Sequence, residues 1–360
     1  MAVNFPHQDE SPVKAGIGAE DISSLLTPPP PSNSRFKIIS LLAAFALAAV
    51  LLYYSLRGIE WRQAGKLIAG ANLGLLALVA IVMTVAIFLR AVRWRILLTA
   101  EGPVSVPAAF WATSAGYFGN NFLPARAGEL VRTFMISSRC GLNSTYVLTT
   151  ALSERVADAI ALVVISALVL LTLPEQPGWL AGAAKPFAFL GLAGAMVIAV
   201  LPRLESLIRK MLRRAPVSVN VQRKVVGLVE HGLRGLRVFH DARRVLPFLG
   251  LTIVIWTLDA SWTVMAGAAL GLTIPLPVAF LLIAGLGLGS ALPSTPGYVG
   301  IYQFVAVKVL VPFGFSKTDA IAYILLAQAM QYAVIGVWGA FGFLNYRGLK
   351  NRSKPSEATL

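Results

Sequence analysis

The chain has 360 residues, of which 57% are hydrophobic and only 13% charged, with a formal net charge of +15. A soluble domain carries about twice that share of charge, and several apolar runs approach or exceed the ~18–20 residues a bilayer-spanning helix needs. A pair of soluble domains is therefore excluded in favour of an all-α, multi-spanning membrane protein. The basic residues lie between apolar runs, where they report orientation and contact with anionic lipid and not nucleic-acid binding.

Residues 1–36 are polar and proline-rich, include Pro28-Pro29-Pro30-Pro31, and read as a disordered cytoplasmic tail. No cleavable signal peptide is evident. The first span is expected at 37–56 and the second at 73–92, ending in Arg90, Arg93, Trp94 and Arg95. Further spans are expected at 146–173, 184–202, 247–270 and 319–344, with a tail at 346–360. Between the fourth and fifth, the basic segment 203–244 places Leu204, Leu207, Ile208, Met211 and Leu212 on one helical face and Arg209, Lys210, Arg213 and Arg214 on the other. That pattern suits an amphipathic helix in the cytoplasmic headgroup region; a solvated basic loop is the plainer reading.

Two apolar stretches fit no span. Residues 104–138 are broken by Asn120, Asn121 and Pro124, and residues 276–313 by Pro293, Pro296 and Gly297. Their pieces are too short to cross comfortably and suggest re-entrant hairpins, which survive at membrane depth only where protein or a water-filled cavity surrounds them. Six spans and two such hairpins put both termini in the cytoplasm. Of the 31 Lys and Arg, 24 then fall inside and six outside, with Arg155 in a span, as the positive-inside rule requires. The breaks read Leu123-Pro124-Ala125-Arg126-Ala127-Gly128 and Leu292-Pro293-Ser294-Thr295-Pro296-Gly297. Both are L-P-x-x-x-G, entering from opposite faces, and each follows two spans and precedes one. This is the outline of an inverted repeat of the kind that builds many transporters; chance is the alternative for a three-residue match.

Charge at membrane depth is costly and marks interior cavities or partners. Arg126, Glu129 and Arg132 follow the first break, with Arg126–Glu129 and Glu129–Arg132 both at i,i+3. Gly128 falls near the start of the returning half-helix, whose free N–H groups would suit phosphate, and arginine adds bidentate recognition of phosphate oxygens. Glu154, Arg155 and Asp158 lie in the third span, where Arg155 and Asp158 could pair at i,i+3; Asp259 is a lone acid in the fifth. The second hairpin offers Ser290, Ser294, Thr295, Tyr298, Tyr302 and Gln303, with backbone amides after Gly297 and Gly300. Gly285-Leu286-Gly287-Leu288-Gly289 reads as close helix packing and lacks the context of a nucleotide loop. Purely structural ion pairing is the plain reading of the charged groups. Cys140 is the only cysteine, and His7, His231 and His240 lie outside the spans. They lack metal-ligand spacing, so no metal or cofactor is expected.

At these motifs the chain resembles the lysylphosphatidylglycerol synthase transmembrane region family, the flippase-like membrane proteins. The resemblance rests on Arg90-x-x-Arg93-Trp94, on Asn121-x-Leu123-Pro124-x-Arg126-x-Gly128-Glu129-x-x-Arg132, on Glu154-Arg155-x-x-Asp158 and on Pro293-x-x-Pro296-Gly297-x-x-Gly300, and it covers about 37–345. It departs at Gln303, where many members carry Glu. The full-length synthases continue into a soluble aminoacyl-transferase domain, which this chain, ending sixteen residues after its last expected span, is not expected to carry. What the resemblance implies is movement of a phospholipid or polyprenyl-linked glycolipid across the cytoplasmic membrane.

The expected partners are thus membrane lipids with an anionic or phosphate-bearing headgroup. The expected binding residues are Asn121, Arg126, Glu129, Arg132, Glu154, Arg155, Asp158, Asp259, Pro293, Gly297, Tyr298 and Gln303. Arg126, Arg132 and Arg155 would meet phosphate; Glu129, Glu154 and Asp158 would orient them or bind a cationic group. No catalytic constellation is found, so a non-enzymatic role is expected. The alternatives are a membrane-embedded enzyme acting on a lipid headgroup and an accessory protein of envelope-lipid synthesis.

Overall fold

The computed structural model describes residues 48–122, 127–172, 238–290 and 296–352, apart from a few isolated positions. Every regular element among them is a helix. A helical segment over 48–56 leads to α1 (Trp61–Ala69) and α2 (Leu73–Leu98). The pair α3 (Val106–Phe122) and α4 (Gly128–Cys140) follows, then α5 (Ser144–Thr172). After a 3₁₀ turn come α6 (Ala242–Ala269), the pair α7 (Leu276–Gly289) and α8 (Ile301–Leu310), and α9 (Lys317–Arg352).

Local chemistry sets several of these boundaries. Asn72 caps α2 by accepting from Leu75 N at 3.1 Å, and Asp241 caps α6 by accepting from Arg243 N at 3.0 Å, each satisfying one of the orphan donors of a first helical turn. Gly141, at φ 70°, ends α4 in the left-handed conformation glycine favours.

Among the described residues, three helices are long and apolar enough to cross a membrane: Leu73–Leu98, Ala242–Ala269 and Lys317–Tyr346. Along α2, Leu78, Ile81, Val85 and Phe88 recur at helical spacing and are exposed; a soluble protein seldom shows so continuous an apolar stripe, and acyl chains are its natural cover. The fourth long helix, α5, runs through the third expected span and carries Glu154, Arg155 and Asp158 inside it. The expected span at 184–202, nearly all of the basic segment 203–244 and the first part of the span at 37–56 lie outside the described residues.

Both awkward apolar stretches are pairs of short helices, of 17 and 13 residues in the first and 14 and 10 in the second. The arms of each pair pack on each other. In the second, a Cβ on Gly285 would come within 2.8 Å of Val305 and one on Gly289 within 3.0 Å of Ile301, so these glycines are where the arms touch. Gly287 serves a different neighbour, Leu162 of α5, which a Cβ there would meet at 2.5 Å.

The packing between the halves is reciprocal. The long helix that precedes each hairpin, α2 or α6, packs on its counterpart. The first arm of each hairpin packs on the closing helix of the other half, α3 on α9 and α7 on α5. The central pair is antiparallel: Asn72 N donates to Ala269 O at one end (2.9 Å), and Arg244 Nη1 donates to Ile96 O at the other (2.9 Å). This is the exchange of contacts that an inverted repeat produces.

Two apolar cores result. One joins α2, α6, the second hairpin and α9 around residues such as Leu282, Leu310 and Tyr323; the other gathers the end of α2, the first hairpin and the start of α5 around Trp94. Cys140 packs at the edge of the second core. Burial pushes its thiol pKa up against the opposing pull of Arg139, the setting of an inert sulfur.

Candidate functional site

Six charged side chains form a continuous line among the described helices, and two more form a separate pair. Arg93, on α2, is fully buried and donates Nη1 to Asp158 Oδ1 at 2.7 Å and Nη2 to Asp158 Oδ2 at 2.9 Å. Its Nη2 also reaches Glu154 Oε1 at 2.9 Å, and its Nη1 reaches Thr252 Oγ1 on α6 at 3.1 Å. Glu154 is shared, because its Oε2 accepts from Arg132 Nη1 at 2.8 Å. Arg132 in turn holds Glu129 at 2.5 Å, donates to Ala151 O at 3.1 Å, and stacks over Trp94 at 4.5 Å. Glu129 closes the chain by accepting from Arg155 Nε at 3.0 Å. Apart from these, Arg90 pairs with Asp259 and stands over Trp256. Four arginines thus face four carboxylates, and for Arg93 and Arg132, each with 1% of its side chain exposed, burial makes the pairing obligatory.

Beside this line is a cavity of about 230 Å³. Every helix that surrounds it belongs to a long span or a hairpin: Tyr117, Asn120 and Asn121 come from the first hairpin, Ser290, Tyr298 and Tyr302 from the second, and α2, α5, α6 and α9 close the sides. Two arginines, Arg90 and Arg155, and one carboxylate, Asp259, line it. Arg155 has given only Nε to Glu129; its Nη2 is buried with no hydrogen-bond partner among the described residues. Arg90 has given one nitrogen to Asp259. Both arginines thus line the cavity while each holds one carboxylate.

The structure divides the expected binding residues into three sets. Asn121, Arg155, Asp259 and Tyr298 line the cavity. Glu129, Arg132, Glu154 and Asp158 come together, but as the ion line next to it. Arg132 in particular does not open onto the cavity, since two carboxylates, a carbonyl and the Trp94 ring fill its surroundings. This corrects the expectation that it meets phosphate. The i,i+3 pair of Arg155 with Asp158 gives way to Arg155–Glu129 and Asp158–Arg93. Nor is the start of α4 free for an anion, because Gly128 N donates to Asn120 Oδ1 at 3.0 Å.

Gly297 and Gln303 form the third set, and they brace the second hairpin. Gln303 accepts from Gly300 N at 2.7 Å and donates to Gln328 Oε1 at 2.5 Å. Gln328 donates to Gly297 O at 3.0 Å, and the Tyr332 hydroxyl donates to the same oxygen. Gln303 is buried away from the cavity, where an amide serves as a cap and latch. Arg126 and Pro293 lie outside the described residues.

Arg90, Trp256 and Trp262 were not among the expected binding residues. Arg90 looked like one of the cations that flank a span. The available signal was its place one turn before Arg93, at the depth where α5 and α6 carry carboxylates.

The model of the lysylphosphatidylglycerol synthase TM region matches residues 41–339. The chain belongs to this family. A member of the lysylphosphatidylglycerol synthase TM region family on that evidence of extent, it is also similar to the glycosyltransferase AglD of Haloferax volcanii, with 26% identity over 92% of this chain and 58% of that protein. The chain thus spans little more than half the length of that curated relative. No solved structure matches it. The family match makes it a membrane protein. The second similarity also corrects one expectation: the absence of a recognisable catalytic constellation in the sequence pointed to a non-enzymatic role, and the similar Haloferax volcanii protein is named a glycosyltransferase.

Proposed function

We propose that this chain handles a phosphate-bearing lipid of the cytoplasmic membrane, a phospholipid or a polyprenyl-linked glycolipid, and carries its headgroup across the bilayer. The observation behind this reading is the pair Arg90 and Arg155, each holding one carboxylate and both lining a cavity where both hairpins meet. Arginine presents several donors in a fixed fork that suits phosphate oxygens. Reciprocal packing of the halves supplies the mechanics, because a site at the junction of two inverted halves opens to either side as they rock. In this reading the hairpins are re-entrant and both termini are cytoplasmic. Transport of a fluorescent phospholipid and of a polyprenyl-phosphate lipid in reconstituted vesicles tests it. The wild-type chain moves one of them and Arg155→Ala does not; equal transport by both proteins overturns the assignment.

A second reading follows from the similarity to a glycosyltransferase: the held lipid is a partner in sugar transfer, and the cavity presents its phosphate to the transfer step. Release of sugar from, or its addition to, a lipid-phosphate substrate by the purified protein would favour this reading over translocation alone.

A further inference from the structure

The four arginines and four carboxylates of the ion line and its neighbouring pair sum to zero charge. An anion that enters the cavity therefore brings a charge these groups do not balance, although two arginines line the space. Unbalanced charge at membrane depth is costly, and buried groups escape such a cost by changing their protonation. A positive charge has to enter with the anion.

The four carboxylates differ in how firmly they are held. Glu154 and Glu129 each lie between two arginines, and Asp158 gives both oxygens to the Arg93 fork. Asp259 has one arginine nitrogen, from Arg90 on Oδ2, and its Oδ1 accepts from Trp262 Nε1 at 3.2 Å. It is also the one acidic side chain in the cavity wall, where Arg90 stands beside it. Anion and Asp259 thus compete for the same guanidinium. When Arg90 turns to a phosphate oxygen, Asp259 Oδ2 loses its cation, and a desolvated carboxylate in that position favours its neutral form.

A proton suits this place better than a metal ion. Hard cations such as calcium or magnesium need several oxygens around them, whereas N–H donors occupy both oxygens of Asp259. Around Asp259, α2 also brings Arg93, which is committed to Asp158 and Glu154 of α5. Arg155 of α5, Tyr117 of α3 and the Tyr298–Tyr302 stack line the same cavity. α7 carries no titratable side chain, and α9 carries no charged one between Ala320 and Tyr346. His240, in the turn before α6, is about five helical turns away.

We propose that Asp259 is a proton site coupled to the anion. A lipid phosphate enters with one proton; Arg90 passes from Asp259 to a phosphate oxygen, and the proton, drawn from water, forms an O–H bond at Asp259 Oδ2. Departure of the anion returns the proton to water and Arg90 to the carboxylate. Lipid and proton then cross in the same direction. This rests on the proposed capture of a lipid phosphate and adds the coupling ion to it.

The test is calorimetric titration of the full chain in phosphatidylcholine nanodiscs, repeated in buffers of different ionisation enthalpy. The probes are a short-chain phosphatidylglycerol and the methyl ester of a short prenyl phosphate, both phosphodiesters whose single charge does not titrate near neutrality. For the probe that binds, wild type should take up about one proton per lipid and bind more weakly as the pH rises. Asp259→Asn imitates the protonated acid: it should bind without proton uptake, independently of pH, and about tenfold more tightly than wild type at about pH 8. A merely structural or anion-holding Asp259 predicts weaker binding in this variant instead, and that result overturns the proposal, as does proton uptake that persists in it. A second measurement needs no variant. The infrared difference spectrum of wild type on binding should gain a protonated-carboxyl band. Binding without proton uptake or without that band overturns the proton site and leaves anion capture standing. Binding of neither probe overturns both.

Discussion

Arg93 and Asp158 meet through two parallel hydrogen bonds, at 2.7 and 2.9 Å, although 65 residues separate them in sequence. The contact joins α2 to α5 at a depth where neither side chain has water to fall back on, and Thr252 ties α6 to the same guanidinium. Removing Arg93 would strand Asp158 and leave Glu154 with Arg132 alone. Breaking a buried pair costs about 3–5 kcal/mol, so Arg93→Ala should lower the detergent-solubilised unfolding temperature sharply. Arg93→Lys should recover little, since an ammonium cannot make the fork. The double variant Arg93→Met with Asp158→Leu should be more stable than Arg93→Ala. Equal melting temperatures for wild type and Arg93→Ala would show that the pair does not hold these helices.

The same comparison shows why sequence spacing misjudged the partners. An i,i+3 ion pair on a helix is worth about 0.2–0.5 kcal/mol, whereas leaving a buried Arg93 without its carboxylate costs several times that. Asp158 therefore goes to Arg93, and Arg155 turns to Glu129 of the hairpin. The helices, the two breaks and the identity of most of the charged residues were legible from hydropathy and from the cost of charge at depth. Which charge neutralises which was not, because the deciding contacts cross between helices far apart in sequence. Arg90 and Arg93 illustrate the point: beside Trp94 and Arg95 they resemble the cationic flank that sets orientation, and only the fold turns them inward. The sequence suggested a repeat through two L-P-x-x-x-G breaks, of which residues 123–126 and 291–295 lie outside the described residues; the exchange of α3 on α9 for α7 on α5 is the packing such a repeat would have.

Arg132 and Arg155 should behave differently although both pair with Glu129. Arg132 is sealed in the ion line, with 1% of its side chain exposed, and Arg155 faces the cavity with 38%. Arg132→Ala should therefore act mainly on stability. Arg155→Ala should retain most of its melting temperature and lose binding of a prenyl phosphate by about tenfold or more, the worth of a charge-assisted contact of ~1.5–3 kcal/mol. Paired melting and titration of the two variants separates the roles; the reverse pattern would assign the anion to Arg132.

Gln303 and Gln328 predict a local effect in the second hairpin. Gln303 satisfies Gly300 N and hands a hydrogen bond to Gln328, which holds Gly297 O. Gly297 and Gly300 both have positive φ, at 72° and 93°, conformations that other residues enter only with strain. Gln303→Leu would leave a buried N–H and a buried amide unpaired, at about 1–3 kcal/mol each. Hydrogen exchange of the 296–303 backbone should rise in this variant while that of α3 and α4 stays unchanged. Unaltered exchange at 296–303 would mean that the latch does not govern the hairpin.

The first hairpin closes by steric fit. A Cβ on Gly128 would run into Gly116 O and the Asn120 amide, whereas one on Gly116 would sit 3.1 Å from Gly128 O and from Arg132 Cβ. Gly128→Ala must push backbone from backbone and displace the Asn120 cap on its own N–H. Overpacking of this kind costs ~1–3 kcal/mol. It should also shift Glu129, one residue on, and with it the orientation of Arg155 at the cavity. Gly128→Ala should accordingly weaken prenyl-phosphate binding as well as stability, and Gly116→Ala should do less of both. The ordering is the measurement: if Gly116→Ala proves equal or worse in melting and titration, the arms do not meet at Gly128.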